Sequence, residues 1–498
     1  MSPKTASDGS RKWWVLITVI FGTFLGRLDQ TIVNLALPKI IEDFSITVSA
    51  AGWIATAYIL ANAVFVPIWG KLGDTIGRKR VYLTGFGIFI IGSALAGLAW
   101  NLSSMIVFRI IQAIASSADY PTAMAIIAVT FTEEKERAQA LGIWSVAFAA
   151  AAVFGPLIGG PLIDHFGWRS VFLINLPVGL IGLLMAIFFI EESKSTIRSY
   201  NFDWWGAITL GIALAALVLV LDRGVEWGWT SIRSFVLYLV VVVFGILFYI
   251  KEVNHPEPIV DFKFFKIDAF TRTLINSFTV FMGLMAGVFL IPIFVETYLG
   301  YDATKTGMLF MPMAFAMMIA SPLGGRLVGK YRAGRVIAVS SFIGGIGILL
   351  LVKFIDPLST PIDIILPLLV MAFGLGFGMP QRTTIIASSV PESEVGIASS
   401  VLALARNIAG AFGIAIASSI LTQRTNSALL DIASNSIINL HTPLVLQEAA
   451  TLMVLKAQII AYKEVFLVSF IIMTIGALSA LSINVKSVSK DVKHQVID

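Results

Sequence analysis

Long uninterrupted apolar runs constrain this chain more than any other feature of its sequence. A helix that crosses the hydrocarbon core of a bilayer needs about 20 predominantly apolar residues, at a rise of 1.5 Å each. Runs of that length begin near Trp13, Ser49, Val81, Ser103, Gln139, Trp168, Trp204, Arg233, Ala269, Thr304, Arg335, Ile362, Gly396 and Tyr462. Fourteen spans are therefore predicted, with boundaries set by short linkers rich in Gly, Pro and charge. The balance of side chains agrees: 57% are apolar and 13% charged over 498 residues. A soluble chain carries about 25% charge. This one lacks the polar surface to cover a soluble enzyme, and with no Cys it is not a disulfide-stapled secreted domain. A net charge of +5 is too small on so long a chain to point to nucleic acid.

Basic residues near the cytoplasmic ends of spans orient a membrane protein. With the N-terminus inside, 23 of the 35 Lys and Arg fall on the cytoplasmic side, among them Arg78, Lys79, Arg80, Arg332, Arg335 and Arg382. Nine, including Arg169, Arg223 and Arg424, fall on the other, and Arg27, Arg109 and Arg406 lie within spans. Both termini are thus expected in the cytoplasm, and the protein in the cell membrane. The first run is longer than a signal-peptide core and contains Arg27 and Asp29, so it is read as a permanent span.

Displacing the chain by 255 residues lays Gly52, Pro67, Gly70, Leu72, Arg80 and Val81 on Gly307, Pro322, Gly325, Leu327, Arg335 and Val336. Both copies end a span and enter a basic loop. This implies two parallel six-span halves, an arrangement found in transporters whose halves rock about a central site. The expected boundaries are a tail at 1–12, an N-terminal bundle at 13–192 and two extra spans at 203–251. A C-terminal bundle at 269–484 with an outer loop at 422–462 follows, then a tail at 485–498. Residues 444–461, mixed apolar and polar, read as a helix on or in the outer surface.

The stretch Gly70-Lys71-Leu72-Gly73-Asp74-Thr75-Ile76-Gly77-Arg78-Lys79-Arg80 resembles the loop signature of the major facilitator superfamily, between the second and third spans where that family has it. Leu28 to Pro38 in the first span, Arg109-Ile110-Ile111-Gln112 in the fourth, and Gly155-Pro156-Leu157-Ile158-Gly159-Gly160 in the fifth resemble its fourteen-span drug:proton antiporter branch. So do Trp168-Arg169 with Asn175 and Pro177 at the sixth. Ala113 and Ala115 depart from the usual glycines, and Asp119 from the usual apolar residue. The resemblance implies an all-α polytopic fold of two six-helix bundles plus two further helices. It also implies export of small lipophilic molecules, cations among them, in exchange for protons. Uptake by proton symport, or lipid flipping, on the same scaffold is the alternative.

Charges within a span are expensive and mark cavities or relays. Asp29 and Arg109 fall at similar depth and are expected to interact, with Asp29 or Asp119 carrying the coupling proton. Arg27 lies about 200° around the helix from Asp29 and is expected to snorkel or to pair elsewhere. Arg406 is expected to bond a backbone carbonyl, and Glu296 is a weaker substrate contact. Asp74, with Gly70, Gly77 and Arg78, should meet the positively polarised helix end near Gly396 and latch the cytoplasmic side. Gly155, Gly159 and Gly160 should allow close helix contact beside Pro156.

A Met- and Phe-rich stretch containing Met282, Met285, Met311 and Phe315 offers adaptable apolar surface. Asn34, Gln112 and Tyr120 complete the expected pocket. Gly324 to Lys330 imitates a phosphate loop but lacks its Ser/Thr and ends a span, so no nucleotide site is read there. No cofactor or metal is expected, and the proton gradient is the expected energy source. The bilayer, protons and one small substrate suffice as partners for a monomer.

Overall fold

The computed structural model describes residues 7–46, 48–192, 203–256, 258–391, 394–435 and 443–483; the side chains of Asn34, Pro156 and Glu296 lie outside the described residues, as do most of both predicted tails. Every regular element among the described residues is a helix. The first half comprises α1 (Ser7–Phe44), α2 (Val48–Ile76), α3 (Arg78–Gly97), α4 (Leu102–Ser116), α5 (Asp119–Thr130), α6 (Glu134–Phe166), α7 (Ser170–Leu173) and α8 (Asn175–Phe189). Next come α9 (Trp204–Trp227) and α10 (Ile232–Val253). The second half holds α11 (Asp268–Val288), α12 (Leu290–Tyr298), α13 (Ala303–Gly325), α14 (Ala333–Phe354), α15 (Pro361–Ser388), α16 (Val395–Asn435) and α17 (Pro443–Ala480).

Local chemistry sets the boundaries. Asn101 accepts from the Ser104 amide at 2.8 Å while the Ser104 hydroxyl accepts from the Asn101 amide, a reciprocal cap that starts α4. Asp203 caps α9 through the Gly206 amide at 2.7 Å. The α2–α3 turn passes through Gly77 at φ 112, where a side chain would be strained and would also meet the Glu192 carboxylate.

Among the described residues, twelve helical segments are long and apolar enough to cross a membrane. The fourteen predicted from the sequence include two more, corresponding to α4–α5 and α6. The first is interrupted at Ser117–Ala118, so neither 15-residue α4 nor 12-residue α5 is long enough alone. The second, α6, opens on Glu134-Lys135-Glu136-Arg137 and has side chains outside the described residues at 146–149, 152, 153 and 156, so no continuous described stretch of it reaches the length of a span.

The expected outer loop is also different. α16 continues to Asn435 and α17 already begins at Pro443, so most of 422–462 extends two helices. Arg424 pairs with Glu464 and the Tyr298 hydroxyl with Gln458. Gln458, one of the polar residues that suggested an interfacial helix, is thus bonded to a neighbouring helix.

Within the first half α1 packs on α6 and α8, and α4 on α2 and α3; within the second, α15 packs on α13 and α14, and α17 on α11, α14 and α16. The halves meet through α6 with α13 and through α2 and α5 with α16. α9 lies along this seam, touching both α2 and α16, and carries α10 on its outer side. α10 presents Ile232, Phe235, Leu239 and Ile246 outward, as a lipid-facing helix should.

Candidate functional site

Two cross-half contacts close one end of the bundle. On α2, a Cβ added to Gly70 would sit 2.8 Å from the Gly396 carbonyl oxygen and 2.7 Å from the Ser400 hydroxyl, so only glycine permits this approach of α16. One turn on, the buried Asp74 carboxylate accepts from the Ile397 amide at 3.0 Å and from Arg78 at 3.1 Å. The Arg78 guanidinium also donates to the Ala125 carbonyl. Asp74 therefore sits at the α16 N-terminus, where exposed amides and the helix dipole favour an anion.

The repeat copy behaves alike. A Cβ on Gly325 would meet the Ala138 carbonyl at 2.9 Å, and the Ser321 hydroxyl donates to the Gly142 carbonyl at 3.0 Å. Arg137 donates to the Ser388 hydroxyl at 2.9 Å beside it. The matched glycines Gly70 and Gly325 thus occupy matched joints between the halves.

Gly155 and Gly159 have a different task. Their added Cβ atoms would strike Thr31 and Ile32 of α1, so they set the α1–α6 packing inside the first half rather than a contact between halves. Gly160 is half-buried on the same helix.

Asp29 and Arg109 meet as expected. Arg109 Nη1 lies 2.7 Å from Asp29 Oδ2, and both side chains are buried. Gln112 Nε2 and Asn175 Nδ2 each donate to Asp29 Oδ1 at 2.9 Å. The guanidinium also donates to Gln112 Oε1 at 2.6 Å and lies over the Tyr58 ring at 4.1 Å. Asp29 accepts three hydrogen bonds and one full counter-charge. Gln112 is consumed by this network and does not line the cavity, contrary to its expected place in the pocket.

Between the halves lies a cavity of about 250 Å³ that shares Arg27, Gln30, Asn62, Phe281, Met285 and Arg406 as lining with an adjacent one of about 690 Å³. The larger part extends past Ser418 of α16 and Asp222 of α9, away from the Asp74 end. Asp119 and Tyr120 line the inner part. Asp119 is the first residue of α5, immediately after the break, and not a mid-helix residue. It is bonded to the Thr23 hydroxyl, which accepts from Trp144, while its Oδ1 has no partner among the described residues.

Of the expected pocket residues, Tyr120 and Met285 line the cavity. Phe315 is 57% exposed on the outer surface, and Met311 packs beside Ala314 with Met317 and Met318. Met282 lies one turn from Met285 but does not line the cavity. Sequence spacing could not separate the two faces, because Met and Phe suit both lipid and a binding wall. Arg27 and Arg406 were both visible as intramembrane charges, but the partner of Arg406 was misassigned. Arg406 donates to the Tyr120 hydroxyl at 2.7 Å across the two halves rather than to a backbone carbonyl. Arg27 donates to Gln30 within its own helix at 3.1 Å, beside the cavity. Arg382, counted among the cytoplasmic loop residues, is buried within α15, bonded to Asn276 and Ser341, and also lines the cavity.

The sequence model of the Major Facilitator Superfamily matches residues 19–414. Multidrug transporter protein MdtP of Bacillus subtilis is 33% identical over 86% of this chain and 79% of its own length. Riboflavin transporter RibZ of Clostridioides difficile is 33% identical over 83% of this chain and 89% of its own. The tetracenomycin C resistance and export protein of Streptomyces glaucescens is 29% identical over 84% and 78%. The crystal structure of the human organic anion transporter MFSD10 (TETRAN) shares the fold, with a TM-score of 0.64 at 17% identity over 93% of this chain and 99% of that one.

Proposed function

Because the chain belongs to the major facilitator superfamily, we propose that it exports small lipophilic molecules from the cell in exchange for protons, by alternating access across fourteen spans. Membership makes it a multi-pass membrane transporter and not an enzyme. The names of its relatives, multidrug transporters and resistance proteins among them, support drug efflux. The length of α6, 33 residues, and the packing of α4–α5 against α1, α2 and α3 support counting both as spans. The excess of basic residues around Arg78 to Arg80 and Arg332 to Arg335 supports a cytoplasmic Asp74 end. With that end sealed and the larger cavity directed away from it, the conformation is the outward-facing one.

One observation carries the coupling: Asp119 lines a cavity shared by both halves and has one carboxylate oxygen without a partner among the described residues. A carboxyl so placed exchanges its proton with water in the cavity. Asp29, held by Arg109, Gln112 and Asn175, is saturated and acts as a fixed charge-neutral joint. Taking up a proton at Asp119 removes a charge from the seam. That charge faces Arg27 and lies next in sequence to the Tyr120–Arg406 bond, so it biases how the halves meet.

Protein reconstituted into vesicles, loaded with a lipophilic dye and given a proton gradient, tests the reading. An inward gradient should drive dye out past the protein, and Asp119→Asn should abolish the gradient dependence while leaving dye exchange. Proton-driven accumulation of dye in the direction of proton flow would establish uptake instead. Undiminished coupling in Asp119→Asn would remove Asp119 from the mechanism.

A further inference from the structure

We infer that the central cavity is built to take an organic anion: an acid group bound at Arg406 and Arg382, with a lipophilic body lying against the neighbouring apolar wall. The assignment rests on the transporter reading above but not on its direction. Arg406 is 6% exposed and Arg382 4% exposed, and both line the inner cavity. Neither has an ion pair among the described residues. Arg406 uses Nη1 on the Tyr120 hydroxyl, while its Nε and Nη2 have no hydrogen-bond partner among the described residues. Arginine cannot shed its proton to relieve burial, so a buried guanidinium without a counter-charge is costly unless a ligand supplies one. Its planar fork matches the two oxygens of a carboxylate, sulfonate or phosphonate.

Arg27 adds a third guanidinium on the facing half, and Asp119 is the one carboxylate beside these three among the described residues lining the inner cavity. The acids in the larger outer part do not cancel the excess. Asp222 and Glu226 share the single Arg223, which leaves one negative charge against an inner excess of two positive ones, and Asp222 also accepts from Thr56; Arg109, which lines the same part, is matched by Asp29. Leu284, Met285, Met317, Leu375 and Met379 supply an apolar wall around the two arginines. An inorganic anion would leave that wall against water, whereas an acid on a hydrocarbon or aromatic body satisfies both surfaces. The inference reverses the expectation that cations are among the substrates.

Fluorescein and rhodamine 123 share a xanthene body and differ in the sign of their charge. Their binding to the purified full-length protein in lipid nanodiscs is read by fluorescence anisotropy, against empty nanodiscs. Fluorescein should bind at least roughly tenfold tighter than rhodamine 123, as expected for one well-made hydrogen-bonded charge pair. Arg406→Met should lose that preference by weakening fluorescein while rhodamine 123 binds no more weakly than before, and Arg406→Lys, which keeps the charge, should retain part of it. If Arg406→Met does not fold, Arg406→Lys and Arg382→Lys carry the test by weakening fluorescein selectively. Tighter binding of rhodamine 123, or equal weakening of both dyes in the variants, overturns the inference. So does a thermal shift produced by chloride alone without fluorescein binding. The transport reading fails separately, through loss of gradient-driven movement of whichever dye binds.

Discussion

Replacing Arg109 with Met strands the fully buried Asp29 carboxylate without its counter-charge. Unit charges about 4 Å apart attract by about 4 kcal/mol at an effective dielectric of 20. In the intact protein that attraction offsets the desolvation of both groups, helped by the amide donors of Gln112 and Asn175. Removing one partner of such a pair costs about 3–5 kcal/mol, whereas removing both is often near neutral. Arg109→Met should therefore destabilise the fold by about 3–5 kcal/mol, and adding Asp29→Asn should restore most of the loss. Asp29→Asn alone should cost less than Arg109→Met, because the guanidinium keeps Gln112 Oε1 and the Tyr58 ring. Equilibrium unfolding in mixed micelles titrated with SDS measures all four corners of the cycle. Single effects that add in the double variant to within about 0.5 kcal/mol would mean that the two side chains act independently. That result would refute the assignment of this pair as a mutually compensating joint.

Other outcomes follow from the same geometry. Gly70→Leu should force α2 and α16 apart, and Asp74→Asn should weaken the same joint by removing the anion at the α16 N-terminus. Spin labels at Ile76 and Tyr331, exposed on opposite halves at this end, should report a broader or longer distance in both variants, and the native chain has no Cys to interfere. Gly324→Val should destabilise by about 1–3 kcal/mol through overpacking, since even its Cβ would lie 2.0 Å from the Phe377 carbonyl, and thermal unfolding would show it. Asp43 is held below the ordinary aspartate range, first by the Trp168 indole and then by Arg169. A depressed carboxyl stabilises above its unfolded value of about 3.9 and loses that contribution as pH falls through the folded one. The stability difference between wild type and Asp43→Asn should thus be present at pH 6 and vanish under strong acid, as thermal melts at several pH values would record.

Much of the site was legible because a charge in lipid has few innocent explanations. Asp29, Arg109 and Asp119 stood out on that ground, and the first two do meet. The Gly70–Asp74 stretch was legible because a glycine and an acid at a span end need a close neighbour with free amides. Phe315 and Met311 were misplaced for the opposite reason: an apolar side chain is equally content against lipid, a helix or a substrate. Arg382 was misread because orientation by counting treats every basic residue near a span end as solvated. Its own bonds to Asn276 and Ser341 lie 106 and 41 positions away in sequence, and spacing carries no trace of them.

Length and hydropathy alone dictated a bundle of membrane helices, since nothing else buries so many backbone groups in lipid. The displaced Gly and Pro pattern also fixed that the chain is built of two related halves. Which residues face the space between those halves was decided only by helix rotation and close packing. The break before Asp119, the glycine contacts that seal one end and the convergence of Arg27, Arg382 and Arg406 all depend on side chains far apart in the chain. A one-dimensional pattern records how greasy a residue is, but the sign of the charge inside the cavity emerges only once three separate helices are brought together.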